Sequence, residues 1–561
     1  MEHRIWHDQY DQGVPRSIDY PQVPLFDFLE RNAENTPDKP CTLFKGAKIS
    51  YQKMNELTDR LAGALHDLGV RKGDRVGILI PNTPQFVIAY FGVLKAGGIV
   101  VATNPQYTKR EIKHQVNDSG LRLMLLMSNF YLKIKELQPE TGLEQLIVTN
   151  MKEALPPLKT ILFTLLKEKS GGFRVRLESG DLWLADLLRA YQPQDRPELI
   201  ISSEDRAIFQ YSGGTTGIPK AAVGLHRNLV ANSLQLVRWI TSAEMGKEVV
   251  MMAIPLYHVY GMVAGMSYGL ASGSTLVMVP DPRDLGDLLR NLEKYRATIF
   301  PAVPALYNAI NNHPDVKAGR YDLSSLKTCI SGSAPLMRET KETFEALTGA
   351  VIMEGYGLSE APTATHCNPN LGENRTGSIG LPLPDVDAKI IDLEDESSEA
   401  APGELGELII KAPQVFKGYH NMPSETRNAL RNGWLYTGDI VRMDEAGFFY
   451  IVDRKKEVIN PAGFQVWPRE VEEIIQAHPA VLEVAVAGVP DPYRGETVKA
   501  WVVVKPGEEL ARQAVIDWCA DKLVKYKVPT EIEFRKQLPK THVGKTLRRK
   551  LVHEHIQTAD G

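Results

Sequence analysis

The segment YSGGTTGIPK at 211–220 concentrates the residue types that grip phosphate. Gly213, Gly214 and Gly217 let the backbone turn with its N–H groups inward. Ser212, Thr215 and Thr216 add hydroxyl donors and Lys220 adds a cation, a set that suits a polyphosphate. It is not a Walker A loop, which requires GxxxxGK[ST]; the other candidate, VGKT at 543–546, has Pro539 where the first glycine should stand. The chain carries no HExxH and no GxGxxG after a strand, and no serine or cysteine nucleophile is expected. What remains is machinery for positioning phosphates and charge.

The elements that must hold this loop read as α/β. The apolar run AIFQY (207–211) feeds it, and a helical pattern begins near Leu225. Upstream, DRVGILI (74–80), GGIVVATN (97–104) and LRLMLLMS (121–128) read as strands, with helices at 84–97 and 109–117 between them. Such alternation predicts mainly parallel sheets in a large N-terminal domain of mixed α/β subdomains, residues 1–452. From Asp453 the texture changes: DRKK leads into a helix at 469–478, strands at 481–489 and 498–504, and a helix near 511–524. This predicts a separate small α+β domain at 453–561. Within it, 521–550 holds ten Lys or Arg against three acids, which reads either as a solvated charged face or as a surface for an anionic ligand.

Composition sets the outer limits. With 561 residues, 43 % hydrophobic and 24 % charged, the chain has a globular mix, and ~150 residues per domain predicts three or four domain-sized units. A net charge of −4, from 65 basic and 69 acidic residues, argues against a nucleic-acid binder. Cys41, Cys329, Cys367 and Cys519 show no CxxC spacing, and the polar start MEHRIWHDQYDQGVPRS lacks the apolar core of a signal peptide, so a reduced, cytoplasmic location is expected. The uncharged stretch 249–280 is broken by Pro255, His258 and several glycines and predicts buried strand, turn and helix, not a membrane span. In KEALPPLKTILFTLLKEK (152–169), Leu155, Leu158, Ile161, Leu162, Leu165 and Leu166 share one helical face flanked by lysines, with Pro156 and Pro157 shortening the helix. Two readings stand: an ordinary helix packed on the core, or a basic amphipathic helix in weak peripheral contact with the inner face of a membrane.

YSGGTTGIPK (211–220), EGYGLSE (354–360), NGWLYTGDI (432–440), DRKKEVI (453–459) and PKTHVGKTLRR (539–549), in this order, resemble the ANL superfamily of adenylate-forming enzymes over nearly the whole chain. The stretch from Asn432 to Glu472 resembles the signature of bacterial long-chain fatty acyl-CoA synthetases. The resemblance implies a two-step reaction: a fatty acid carboxylate attacks the α-phosphate of ATP to give acyl-AMP and pyrophosphate, then the thiol of coenzyme A displaces AMP. Orientation and charge stabilisation would then carry the catalysis.

The resemblance also implies roles. Ser212 to Lys220 would hold the β- and γ-phosphates, with Thr216 also catalytic. Tyr356 would lie against adenine, Glu354, Gly355, Gly357 and Ser359 would line the nucleotide, and Gly332 in SGSAP (331–335) would sit near the base. Glu360 would bind Mg²⁺. Asp439 and Arg454 would hold the ribose, Asp453 would be a hinge, and Lys545 would bridge the attacking carboxylate and the α-phosphate. His258 in PLYHVYG, with Val259, Gly261 and Met262, would wall the acyl site, where Gly261, Met262 and Gly265 leave room for a tunnel. Gly463 and Phe464 would lie beside the pantetheine channel; relatives with lysines at the positions of Asn460 and Ala462 differ from this chain. Aryl-CoA ligases, acyl-AMP ligases loading a carrier protein, luciferase-like oxygenases and an idle nucleotide-binding scaffold share parts of this pattern. Neither monomer nor homodimer is favoured.

Overall fold

The computed structural model describes residues 3–212, 219–393, 395–396, 398–461, 464–541 and 546–559. The chain divides into two compact units, Met1–Asp387 with Lys411–Leu435 and Ala388–Ile410 with Tyr436–Gly561. The second unit therefore takes in 388–410 and 436–452, upstream of the change in sequence texture at 453. Antiparallel pairing explains the grouping: strand Trp434–Met443 pairs with Phe449–Arg454, setting Asp439 opposite Arg454 and Ile440 opposite Asp453.

Two large sheets build the first unit. In the seven-stranded sheet, Arg75–Leu79, Ile99–Ala102, Leu123–Met127, Gln145–Thr149, Leu182–Trp183 and Arg206–Ser212 run parallel, and Lys220–Leu225 returns antiparallel along Arg206–Ser212. In the nine-stranded sheet, Pro40–Phe44, Thr275–Met278, Val249–Met252, Ile299–Ala302, Thr328–Ser331 and Val351–Leu358 are parallel, with antiparallel strands at both edges. The parallel strands are apolar runs because helices cover both faces. Helix Pro84–Lys95 shows this most strongly: every residue is buried, between helix Tyr51–Asp67 and strands of both sheets. Its Lys95 is tolerated there because Nζ lies 2.7 Å from Asp59 and donates to Asn55.

The stretch 249–280 is buried as expected: strand Val249–Met252, a π-helical segment Tyr260–Ser267, helix Tyr268–Ala271 and strand Thr275–Met278. No described helix is long and apolar enough to cross a membrane. In the second unit, strands Val481–Asp491 and Gly495–Val504 pair antiparallel and Glu531–Phe534 adds in parallel. Helices Pro468–Gln476 and Arg512–Ala520 contribute Val471, Ile475, Val515 and Cys519 to a core with Val486, Val498 and Val502.

Candidate active site

In the first unit the expected site residues gather at the carboxyl ends of parallel strands, the usual ligand position in α/β sheets. The phosphate loop is a hairpin connection: Tyr211 pairs with Ala221 and Ser212 with Lys220. A strand, Lys220–Leu225, intervenes before helix His226–Trp239, so the loop does not open directly onto a helix N-terminus. Gly213, Gly214, Thr215, Thr216 and Gly217 lie outside the described residues, as do Gly463 and Lys545.

Lys220 is held on two sides. It forms an ion pair with Glu425, and its Nζ lies 5.5 Å from the centroid of the Tyr419 ring. The Tyr419 hydroxyl donates to Glu360 Oε1 at 2.8 Å. Burial and the Glu360 carboxylate push the Tyr419 phenol upward, so it stays protonated and donates. Backbone pairing fixes this arrangement, because Lys417 N–H donates to Val223 O, Val223 N–H to Gly418 O and His420 N–H to Ala221 O. Tyr419 and Glu425 were not among the residues the sequence singled out. Only the fold brings 416–425 onto strand Lys220–Leu225, and no spacing signals it.

EGYGLSE is itself a hairpin, with Gly355 opposite Cys367 and Tyr356 opposite His366. Tyr356 is half-buried and meets the His366 ring edge-on at 5.9 Å. Ser359 and Glu360 form the turn and are half-buried. Glu354 points inward and accepts the Gly377 N–H at 2.8 Å, which makes it a brace for the 377 turn. Gly357 is required by the protein's own packing: a Cβ there would lie 1.3 Å from Thr363 O, whereas one at Gly355 would make ordinary contacts. At Gly332 a Cβ would press on the Tyr260 ring at 3.3 Å. The Tyr260 hydroxyl in turn donates to Ile330 O at 2.7 Å, joining the candidate acyl wall to the candidate adenine turn.

His258 Nδ1 accepts the Tyr260 N–H at 3.2 Å, which places any ring proton on Nε2. Surrounding protein lowers its pKa to about 4, so the ring is neutral at physiological pH. Val259 and Met262 are buried, and the space beside Gly261 is taken up by the backbone of Ile254 and Pro255, that beside Gly265 by Met252. These two glycines serve close packing, since a side chain at either would collide with its neighbours. Asn82, also missed, clamps this segment by donating to Met252 O and Ile254 O and accepting from Leu256 N–H. The chain also carries a GxSxG spacing, GMSYG at 265–269. Its Ser267 is fully buried in the π-helical segment and donates to Met262 O at 2.9 Å, so it is no exposed nucleophile on a strand-to-helix turn.

In the second unit, Asp439 is 4 % exposed and its Oδ1 lies 3.1 Å from Arg454 Nε across the strand pair. Asp453 Oδ1 accepts the Arg454 N–H and Oδ2 the Arg469 N–H, both at 2.7 Å, tying the strand end to helix Pro468–Gln476. Arg548 inserts among Glu457, Glu472 and Asp453, with Nη2 2.6 Å from Glu472. Phe464 is 53 % exposed and stacks on Tyr526 at 4.5 Å. The basic run is less available than its charge count implies. Lys527 pairs with Glu470, Lys540 with Glu483, Arg535 with Glu533 and Glu554, and Arg548 with its three carboxylates.

The AMP-binding enzyme family matches residues 29–420, and the AMP-binding enzyme C-terminal domain matches 470–545. This chain belongs to the AMP-binding enzyme family. A long-chain-fatty-acid–CoA ligase of Bacillus subtilis is 41 % identical over 98 % of each chain. One of Escherichia coli O6:H1 is 38 % identical over 98 % of each. Among solved structures, ATP-bound MatB from Rhodopseudomonas palustris superposes with a TM-score of 0.81 at 27 % identity, covering 95 % of this chain and 99 % of that one. For this AMP-binding enzyme the fold is that of the ANL adenylate-forming group: a large domain of parallel-rich sheets followed by a smaller C-terminal one.

Proposed function

We propose that this AMP-binding enzyme is an ATP-dependent fatty acid–CoA ligase acting on medium to long acyl chains. A carboxylate oxygen attacks the α-phosphorus of ATP and pyrophosphate leaves; the thiol of coenzyme A then attacks the acyl carbonyl and AMP leaves. The observation that carries the reading is the Glu360–Tyr419–Lys220 cluster. It sets an anionic and a cationic group around one half-buried phenol, beside the loop whose composition suits a polyphosphate. The likeness to the Bacillus and Escherichia ligases over nearly full length supports the acyl substrate.

Mg²⁺ fits the residues present. No group of three or more His, Cys, Asp or Glu side chains among the described residues could cage a metal, and Mg²⁺ commonly takes one carboxylate, completing its shell with phosphate and water oxygens. Glu360 is that carboxylate, oriented by Tyr419; the cation, when bound, offsets phosphate charge. Tyr356 and Gly332 line the adenine, Ser359 donates to a phosphate, and Asp439 with Arg454 holds the ribose. Lys545 offsets charge at the α-phosphate. His258, neutral and fixed by Tyr260, positions the acyl group and takes no proton. Asp453 is the hinge of a mobile segment 453–561. The buried free cysteines fit a reducing, cytoplasmic compartment.

AMP release measured over straight-chain acids from acetate to oleate, and over benzoate, with and without coenzyme A, tests the reading. The expected result is greatest turnover on medium to long chains, with a thioester formed only when coenzyme A is present. Preference for benzoate or acetate, or AMP release with no thioester, overturns it.

A further inference from the structure

We propose that helix Pro157–Leu166 is a docking element for an anionic lipid bilayer, a role independent of the ligase reading. Leu158, Ile161, Leu162, Leu165 and Leu166 recur at i, i+3, i+4, i+7 and i+8 and so share one face. That face points outward: these side chains are between 47 % and 75 % exposed. A surface helix normally turns such a stripe to the core.

The orientation is built in. The opposite side of the helix holds it to the protein: Thr160 Oγ donates to Lys152 O at 3.1 Å, and Phe163 packs edge-on against Phe173 at 5.3 Å. Lys159 Nζ donates to Lys45 O at 2.6 Å. Beyond the helix, buried Glu168 is gripped by Lys152 at 2.6 Å and Asn150 at 3.1 Å. Pro157 begins the helix, so the prolines define its start and do not disrupt it.

Charge selects the occupant. Between 157 and 176 the exposed charged residues are Lys159, Lys167, Lys169, Arg174 and Arg176, and the one acid, Glu168, is buried and paired. The Phe163–Phe173 contact brings this basic stretch back beside the helix. An apolar helix face bordered by exposed cations matches an interface of acyl chains under anionic headgroups. A second protein copy suits it less well: at about 1.5 Å per residue the helix is ~15 Å long, and a stable interface needs about 800 Å² per partner.

The full chain is sedimented with vesicles of phosphatidylcholine and with mixed phosphatidylglycerol–phosphatidylcholine vesicles. The expected result is binding to the mixed vesicles that weakens in high salt. Leu158→Asp with Leu165→Asp should lower that binding at least about tenfold, with melting temperature and AMP release unchanged. Lys167→Glu with Lys169→Glu should weaken it on the mixed vesicles only. The proposal is overturned if the wild-type chain stays in the supernatant, if it binds pure phosphatidylcholine equally well, or if the double Asp variant binds like wild type. It also fails if that variant dissociates a dimer without changing sedimentation.

Discussion

Tyr419 links the two charged groups that adenylate chemistry would use, donating its hydroxyl to Glu360 while its ring faces the Lys220 ammonium. Such a phenol does two things at once: it holds a carboxylate in a fixed direction and keeps a lysine near the sheet edge without neutralising it. Charge of this kind stabilises a phosphoryl transition state only where it is already oriented. Lys545, which lies outside the described residues, is proposed to act in the first half-reaction. Lys545→Ala is expected to lower acyl-AMP formation from ATP by about 100-fold or more, the scale of losing one electrostatic stabiliser. Thioester formation from supplied acyl-AMP should change far less. Pyrophosphate release for the first step and thioester yield for the second separate the two; an equal loss in both would refute the assignment. At this scale the sequence was most legible where a motif is contiguous. EGYGLSE and YTGDI name Glu360 and Asp439 directly, whereas Tyr419 and Glu425 reach the site only through strand pairing over a long loop.

Helix Arg548–Ala559 begins on a residue whose guanidinium is surrounded by carboxylates. Burial pushes the Glu472 and Asp453 carboxyls up, and Arg548 works against that push by favouring their charged forms. Arg548 thereby ties the helix that follows Lys545 to helix Pro468–Gln476 and to the candidate hinge Asp453. Arg548→Met would leave buried carboxylates without a countercharge, a loss of about 3–5 kcal/mol when one partner of a buried pair is removed. The second unit should then melt earlier and be cut faster by protease. Arg548→Lys should recover only part of this, because an ammonium cannot match the guanidinium fork on Glu472. A Met variant as stable as wild type would show that the cluster contributes nothing. The elements themselves were largely readable: strands and helices at 74–128 and 469–504 occur where the periodicity places them. The strand between the phosphate loop and helix His226–Trp239 was not. KAAVGL is short and apolar, and such a run does not by periodicity distinguish strand from helix.

Among the described residues, four histidines are held in the neutral state. Burial lowers His7, His226 and His258 to about 4 and His366 to about 3, below the ordinary 6.5. The unfolded chain therefore takes up protons first as pH falls. Their contribution is complete above about pH 6.5 and disappears as pH drops to 3–4, with His226, His258 and His366 each accounting for on the order of 3 kcal/mol. Melting temperature should fall by several degrees between pH 7 and 4.5; a flat profile would contradict this. The sequence by itself determined the alternation of parallel strands and helices, the phosphate-binding composition of 211–220 and the order of the motifs, because these are properties of neighbouring residues. Tertiary structure decided matters that depend on what lies opposite. It paired much of the basic run 521–550 with acids elsewhere in its own unit, filled the space beside Gly261 and Gly265, and grouped 436–452 with the second unit. It also left the leucine face of 157–166 in solvent. Periodicity shows that a helix has an apolar face, but only packing shows whether the protein covers it.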